Sequence, residues 1–316
     1  DMVPDGGNYD GTLGSISALE VIEILNENNV VTEHPLEVII FANEEGGTIG
    51  SMAMAGNLTP DGLKQKSQSG LTQAEGIKAL GGNPDNIQLA KRNKGDIHAW
   101  IELHIEQGGI LEREKIQIGV VEGIVGIVHW EVTVEGFANH AGATPMNLRQ
   151  DALLAASKFI ISVNEVVNSV KGTQVGTVGK IAVQPGAYNV IPGKVVLGLE
   201  IRDLNAAKIE MLFKEMEKRA ATIGTSTKTK ISFERQANES KPALTDKKLQ
   251  QIINSSAKAL GFTTKFMQSG AGHDSQEIAE IAPAAMIFIP SVGGISHSPK
   301  EFSTATDMAN GANVLL

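Results

Sequence analysis

The seven residues Phe41-Ala42-Asn43-Glu44-Glu45-Gly46-Gly47 set two adjacent carboxylates behind an apolar run, Leu36-Glu37-Val38-Ile39-Ile40. The β-branched content of that run predicts a buried strand over 36–42. The glycine pair predicts the turn that ends it. Two neighbouring acids there are costly, because like charges raise each other's pKa and burial raises both further. A cation offsets that cost, and so does a task for one carboxylate as a proton carrier. The plain alternative is a solvated loop carrying two acids, and the rest of the chain decides between them.

Upstream, Asp1 to Gly11 (D-M-V-P-D-G-G-N-Y-D-G) has the composition of a turn-rich loop. Ile16, Leu19, Val21, Ile22 and Leu25 then recur at three- and four-residue spacing and predict a helix over 14–29. Loop, helix and strand in that order belong to an α/β sheet, whose ligands gather outside the carboxyl ends of the strands. Asp10 and the Glu44-Glu45 pair fall on that rim.

Downstream, residues 57–98 are polar, with helical patches near 72–80 and 84–92. Trp100-Ile101-Glu102-Leu103-His104-Ile105-Glu106 alternates like a strand and puts Glu102, His104 and Glu106 on one face. From Gly126 the pattern is β-α-β-β-α-β: strand 127–137, helix 150–168, strands 175–183 and 195–202, helix 205–222, strand 229–236. That is the split βαβ of a ferredoxin-like sandwich, about 115 residues long and of a size for an inserted domain. After Asn238 the pattern returns to the first domain, with a helix at 246–260, a strand at 263–267, a helix at 274–280, a buried strand at 284–289 and a last helix from 304. The expected organisation is a first domain over 1–123 and 239–316, interrupted by a second over 124–238.

The chain has 316 residues, more than one core usually holds. Its 41% hydrophobic and 20% charged content is that of a soluble globular protein. A net charge of −9 excludes nucleic acid as the expected partner. Without cysteine there are no disulfides or thiolate metal sites, and any metal falls to His, Asp and Glu. No run is long enough to span a membrane and no signal peptide is visible, so the cytoplasm is the default.

Asp10, Glu45, His104 and His297 each follow a strand or sit in a glycine-rich loop. A dinuclear site needs a bridging carboxylate, terminal ligands and an open position for water, and Glu44 beside it suits a proton shuttle. The glycine pairs at 6–7, 108–109 and 293–294 lack phosphate-loop spacing and read as close-approach backbone.

Seven motifs then occur in order: D-M-V-P-D-G-G-N-Y-D-G, F-A-N-E-E-G, L-H-I-E-Q-G-G, N-H-A-G-A-T-P-M-x-x-R-x-D-A, N-V-I-P-G, S-G-A-G-H-D and S-H-S-P-x-E. The series resembles that of the M20-type amidohydrolases. It is most similar to the branch of N-carbamoyl-L-amino-acid hydrolases, allantoate amidohydrolases and β-ureidopropionases. The resemblance implies a zinc-peptidase-like α/β domain with a central mixed sheet, plus an inserted ferredoxin-like lid that dimerises. It implies two divalent ions (Zn, Mn, Co or Ni) bridged by Asp10, with His104 completing one and Glu45 with His297 the other. Glu44 would be general base and acid. His140, on the lid, would reach the partner subunit's site and stabilise an oxyanion. Asn189 and Arg202 would hold the substrate carboxylate, and Gln107 and His273 would line the pocket. The activity implied is hydrolysis of a linear amide, above all the carbamoyl group of an N-carbamoyl-L-amino acid or allantoate, by a homodimer.

Two departures stand out. The family's first metal ligand is a His of an H-x-D motif whose Asp is Asp1, so an N-terminal segment carrying it is expected. Gly47-Thr48 stands where relatives often carry Ser-Arg. The alternatives are an M20-type dipeptidase or aminoacylase, and a metal-free binding relative. His104, where peptidase relatives commonly have a carboxylate, speaks against the first.

Overall fold

The computed structural model describes residues 3–67, 69–236 and 239–316. Asp1, expected to be the Asp of the H-x-D motif, and the boundary expected at Asn238 lie outside them. The chain divides into two compact units, Asp1–Ile124 with Ala243–Leu316, and Val125–Pro242. In chain order the first contains helices α1 (Thr12–Glu27), α2 (Ile49–Ala55), α3 (Pro60–Lys64) and α4 (Gln73–Ala79), strand β1 (Trp100–Ile105), α5 (Ile110–Glu114) and β2 (Ile118–Ile124). The second contains β3 (Gly126–Glu135), β4 (Asn139–His140), α6 (Ala152–Ser169), β5 (Val175–Gln184), β6 (Val190–Ile191), β7 (Lys194–Asp203), α7 (Ala206–Thr227) and β8 (Lys230–Arg235). The first unit resumes with β9 (Ala243–Leu244), α8 (Lys247–Ala259), β10 (Thr264–Ser269), α9 (Asp274–Ile278), β11 (Ala284–Ile289) and α10 (Ala305–Leu315).

The first unit is built on a mixed sheet of order β1-β11-β2-β10, with β9 also on β2. β1 runs parallel to β11 and β10 parallel to β2, whereas β11 and β2 are antiparallel. All six residues of β11 (A-A-M-I-F-I) are buried, as a strand covered on both faces requires. Leu103, Ile105, Ile118, Val120, Ile287 and Ile289 meet Leu13 of α1, Ile253 of α8 and Val314 of α10 in its core. β2 (I-G-V-V-E-G-I) escapes a periodicity reading because glycine interrupts it. A Cβ at Gly119 would lie 2.9 Å from both Met267 and Phe288, so the gap in the apolar pattern is where neighbouring strands press closest.

The strand expected at 36–42 is not formed. Residues 36–41 pair with no strand among the described residues, and Leu36 and Ile40 are 52% and 65% exposed. β-branched residues favour a pleated surface, but only a neighbouring strand turns an extended run into a ladder. The turn after it does form: Gly47 and Thr48 donate their N–H groups to the Glu44 carbonyl (3.0 and 2.7 Å).

The second unit is an antiparallel sheet of order β5-β7-β3-β8 carrying α6 and α7. The β-α-β-β-α-β series with that order is the ferredoxin-like arrangement. Along β7, Val195, Leu197, Leu199 and Ile201 are buried, and Gly198, Glu200 and Arg202 take the other face. Trp130 stacks on Phe213 of α7 with ring centroids 4.2 Å apart. Asp151 and Asn205 cap α6 and α7 by accepting backbone N–H bonds. Among the described residues no helix is long and apolar enough to cross a membrane.

Candidate active site

In the first unit, four loop segments and the carboxyl end of β1 bring six of the expected residues together. Asp10, in the loop before α1, is the hub and is 6% exposed. Its Oδ1 lies 3.0 Å from His104 Nε2. Its Oδ2 accepts the Gln107 amide N–H at 2.7 Å and lies 3.3 Å from His297 Nε2. Glu45 Oε1 is 3.4 Å from the same His297 nitrogen. His104 Nδ1 donates to the Ile105 carbonyl (2.8 Å), which fixes the tautomer and turns Nε2 toward Asp10. The His273 ring packs 4.5 Å from that of His104, and its Nε2 bonds to Ser269 Oγ.

The donor atoms fall into two sets, each within 4.8 Å: Asp10, Glu45 and His297, and Glu102, His104 and His273. Strand alternation places Glu102 on the face of His104, with no role expected for it. Its Oε2 accepts bonds from the peptide N–H and hydroxyl of Ser275, whose Oγ also takes the Trp100 indole N–H (2.8 Å).

Carboxyl groups crowd this region, and the electrostatics follow. Burial, and then the charges of Asp274, Glu45 and Glu102, push Glu44 up to about 8. Burial and then Glu102 and Glu277 push Asp274 up to about 7, against the Ser51 hydroxyl it accepts. Burial also raises Glu45, against His297. Burial works to raise Asp10 too, but His104, Gln107 and His297 outweigh it and hold its carboxyl well below the usual range. Burial works to lower His104, yet the Asp10 carboxylate lifts it to about 9. Buried His273, beside His104, stays well below the ordinary imidazole value and is a neutral, ligand-competent ring.

These residues fit divalent cations. The donors are carboxylate oxygens and imidazole nitrogens, a set suited to Zn, Mn, Co or Ni. Gln107 and His297 hold left-handed backbone, φ +58° and +53°, which costs a non-glycine residue about 1–2 kcal/mol each. The Gln107 carbonyl oxygen is buried with no hydrogen-bond partner. A stranded acceptor costs about 1–3 kcal/mol, while the nitrogen of the same amide donates to Asp10.

His140, Asn189 and Arg202 belong to the second unit. His140 is on β4 and pairs with Val190 of β6; Asn189, just before β6, accepts the Ala141 N–H at its carbonyl (2.9 Å). The exposed His140 ring accepts two backbone N–H bonds at Nδ1, from Gly142 (3.0 Å) and Ala143 (3.1 Å). Its neutral form therefore carries the proton on Nε2 and presents a donor. Arg202 already holds a carboxylate in fork geometry: Nε and Nη2 donate to Glu200 at 2.6 and 3.0 Å, with His129 Nε2 2.9 Å from the same group. The sequence reading missed Glu200; its i, i+2 spacing from Arg202 on an alternating strand was the available signal.

The profile of peptidase family M20/M25/M40 matches residues 3–316. The N-carbamoyl-L-amino acid amidohydrolase of Geobacillus stearothermophilus is 43% identical over 320 residues, covering 100% of this chain and 78% of that protein. The ureidoglycolate hydrolase of Arabidopsis thaliana is 37% identical over 327 residues, covering 100% of this chain and 69% of that one. Among solved structures, the hydantoinase/carbamoylase family amidase of Burkholderia multivorans superposes with a TM-score of 0.89 at 36% identity, over 99% of this chain and 76% of that one.

Proposed function

Because this chain belongs to peptidase family M20/M25/M40, we propose that it is an amidohydrolase whose first unit holds two divalent cations and cleaves a linear C–N bond. The substrate is a carbamoyl (ureido) compound bearing a carboxylate, an N-carbamoyl-L-amino acid or allantoate. The convergence of Asp10, Glu45 and His297, with His104 against the other oxygen of Asp10, carries this reading. Asp10, with His104 against one oxygen and His297 against the other, would help to hold both cations.

Bound cations supply Lewis acidity, polarising the carbonyl and making water a stronger acid. Glu44 takes the proton of the attacking water and returns it to the leaving nitrogen. A carboxylate beside the cations and not ligated to them is suited to both transfers. The unpartnered oxygen of Gln107 accepts a ureido N–H. The Nε2–H of His140 stabilises the oxyanion in the partner subunit's site. Asn189 and Arg202 take the substrate carboxylate, with Glu200 setting the plane of the guanidinium. A second copy pairs along β5, a ten-residue edge strand with Val175 and Ile181 about half exposed, to give a homodimer.

The test is a substrate panel with added Mn, Co, Ni or Zn: N-carbamoyl amino acids and allantoate against dipeptides and N-acyl amino acids. Turnover of the ureido compounds is expected, with a loss of about 10²–10⁴ in kcat for Glu44→Gln. Turnover of dipeptides alone would overturn the assignment.

A further inference from the structure

Glu301 is 4% exposed and lies in the first unit, just beyond His297. One of its oxygens, Oε1, accepts the peptide N–H groups of Tyr9 (2.9 Å) and Asp10 (3.0 Å), the latter 291 residues away in the chain. The other, Oε2, accepts the Ser296 hydroxyl at 2.7 Å. Ser296 Oγ in turn lies 3.2 Å from Asp10 Oδ2. The Glu301 N–H closes its own loop by donating to the Ser298 carbonyl (2.9 Å). The Asp10 loop wraps the carboxyl so closely that a Cβ on Gly7 would fall 2.2 Å from Oε1. Next to Glu301, Phe302 meets Tyr9 edge-on with ring centroids 5.5 Å apart.

We propose that Glu301 is a positioning residue that ties the Asp10 loop to the His297 loop and so sets the separation of two cation-binding side chains. Neither of those side chains stands on a helix or strand, and His297 holds a left-handed backbone. Something outside the regular elements must therefore hold them at ligand distance. A carboxyl with one oxygen on the backbone of Asp10 and the other on the neighbour of His297 does so. Both oxygens are turned to N–H and O–H donors, so Glu301 acts through Asp10 and His297 rather than as a ligand.

This rests on the reading that Asp10 and His297 bind a cation, and the experiment separates the two. Metal-free wild type, Glu301→Ala, Glu301→Gln and Ser296→Ala are titrated calorimetrically with Co2+, and the melting temperature of each metal-free protein is recorded. Residues that orient a ligand are worth about 10–100-fold in metal affinity, and Glu301→Ala is expected to lose that much. Glu301→Gln is expected to retain wild-type affinity, since its carbonyl accepts both N–H groups and its amide donates to Ser296. If Glu301→Ala does not fold, Ser296→Ala decides, because it leaves the buried carboxyl and its two backbone bonds intact; a loss of about 10-fold is expected. Wild-type affinity in the alanine variants, with only a lowered melting temperature, overturns the proposal and leaves the cation reading standing. A wild-type protein that takes up no Co2+ overturns both.

Discussion

Glu44→Gln removes a titration that the fold has displaced, and the size of the effect can be worked out. In the metal-free protein, burial and the neighbouring acids lift the Glu44 carboxyl from 4.5 to about 8. Each pKa unit is about 1.4 kcal/mol, so a shift of roughly 3.5 units is about 5 kcal/mol. The folded state keeps a proton that the unfolded chain releases. The stability this confers is complete below about pH 4.5 and is lost as pH rises through about 8. At pH 7 about 3 kcal/mol of it has gone. Glu44→Gln has no proton to lose. Its stability relative to wild type should rise from under about 1 kcal/mol at pH 5 to about 3 at pH 7, approaching 5 above pH 8. Asp274, itself raised to about 7, leaves a smaller slope in the variant. The assay is urea unfolding with chelator present, from pH 5 to 9. The chain has two tryptophans, Trp100 in the first unit and Trp130 in the second. In a Trp130→Phe background, fluorescence therefore reports the first unit alone. A difference between variant and parent that stays flat across this range refutes the burial and charge crowding assigned to Glu44.

Three further outcomes can be checked. Chelation should abolish turnover and lower the first unit's transition, and Mn2+ or Co2+ at a hundredfold over Kd should restore about 2.7 kcal/mol. Gly7→Ala should cost about 1–3 kcal/mol by urea midpoint, because its Cβ meets the Glu301 carboxyl; an unchanged midpoint would mean that the loop has room. Phe159→Ala, fully buried in α6 and 5.6 Å from Phe233, should cost about 3–5 kcal/mol. It should move the Trp130 signal and leave that of Trp100 in place.

What could be read ahead of the structure was whatever a short window carries. The uninterrupted A-A-M-I-F-I of β11, the alternation of β1 and β7, and the apolar stripe of α6 each declare an element within a dozen residues. The same method failed at 36–42, where the composition was right but no partner strand lies alongside among the described residues, and at β2, where Gly119, needed for close packing, broke the pattern. Among the functional side chains, His104 was visible as one face of a strand. Asp10 was singled out from the other aspartates of its loop by the order of motifs, since nothing local distinguishes them. Glu301, Glu102 and Glu200 were passed over because their partners, Asp10, Ser275 and Arg202, are chosen by folding and not by spacing alone.

The way the chain leaves and re-enters the first unit has a consequence for engineering. Ile124 of β2 and Ala243 of β9 are cross-strand partners, while inside the second unit Ile127 and Ser240 exchange both backbone hydrogen bonds at 3.0 and 2.9 Å. A cassette closed at its own neck, entering and leaving between paired residues, can be cut out and the scar sealed with a two-residue Asn-Gly hairpin. The excised piece and the resealed host then become separately clonable parts, and foreign inserts can be shuttled into the same slot without redrawing the sheet that receives them.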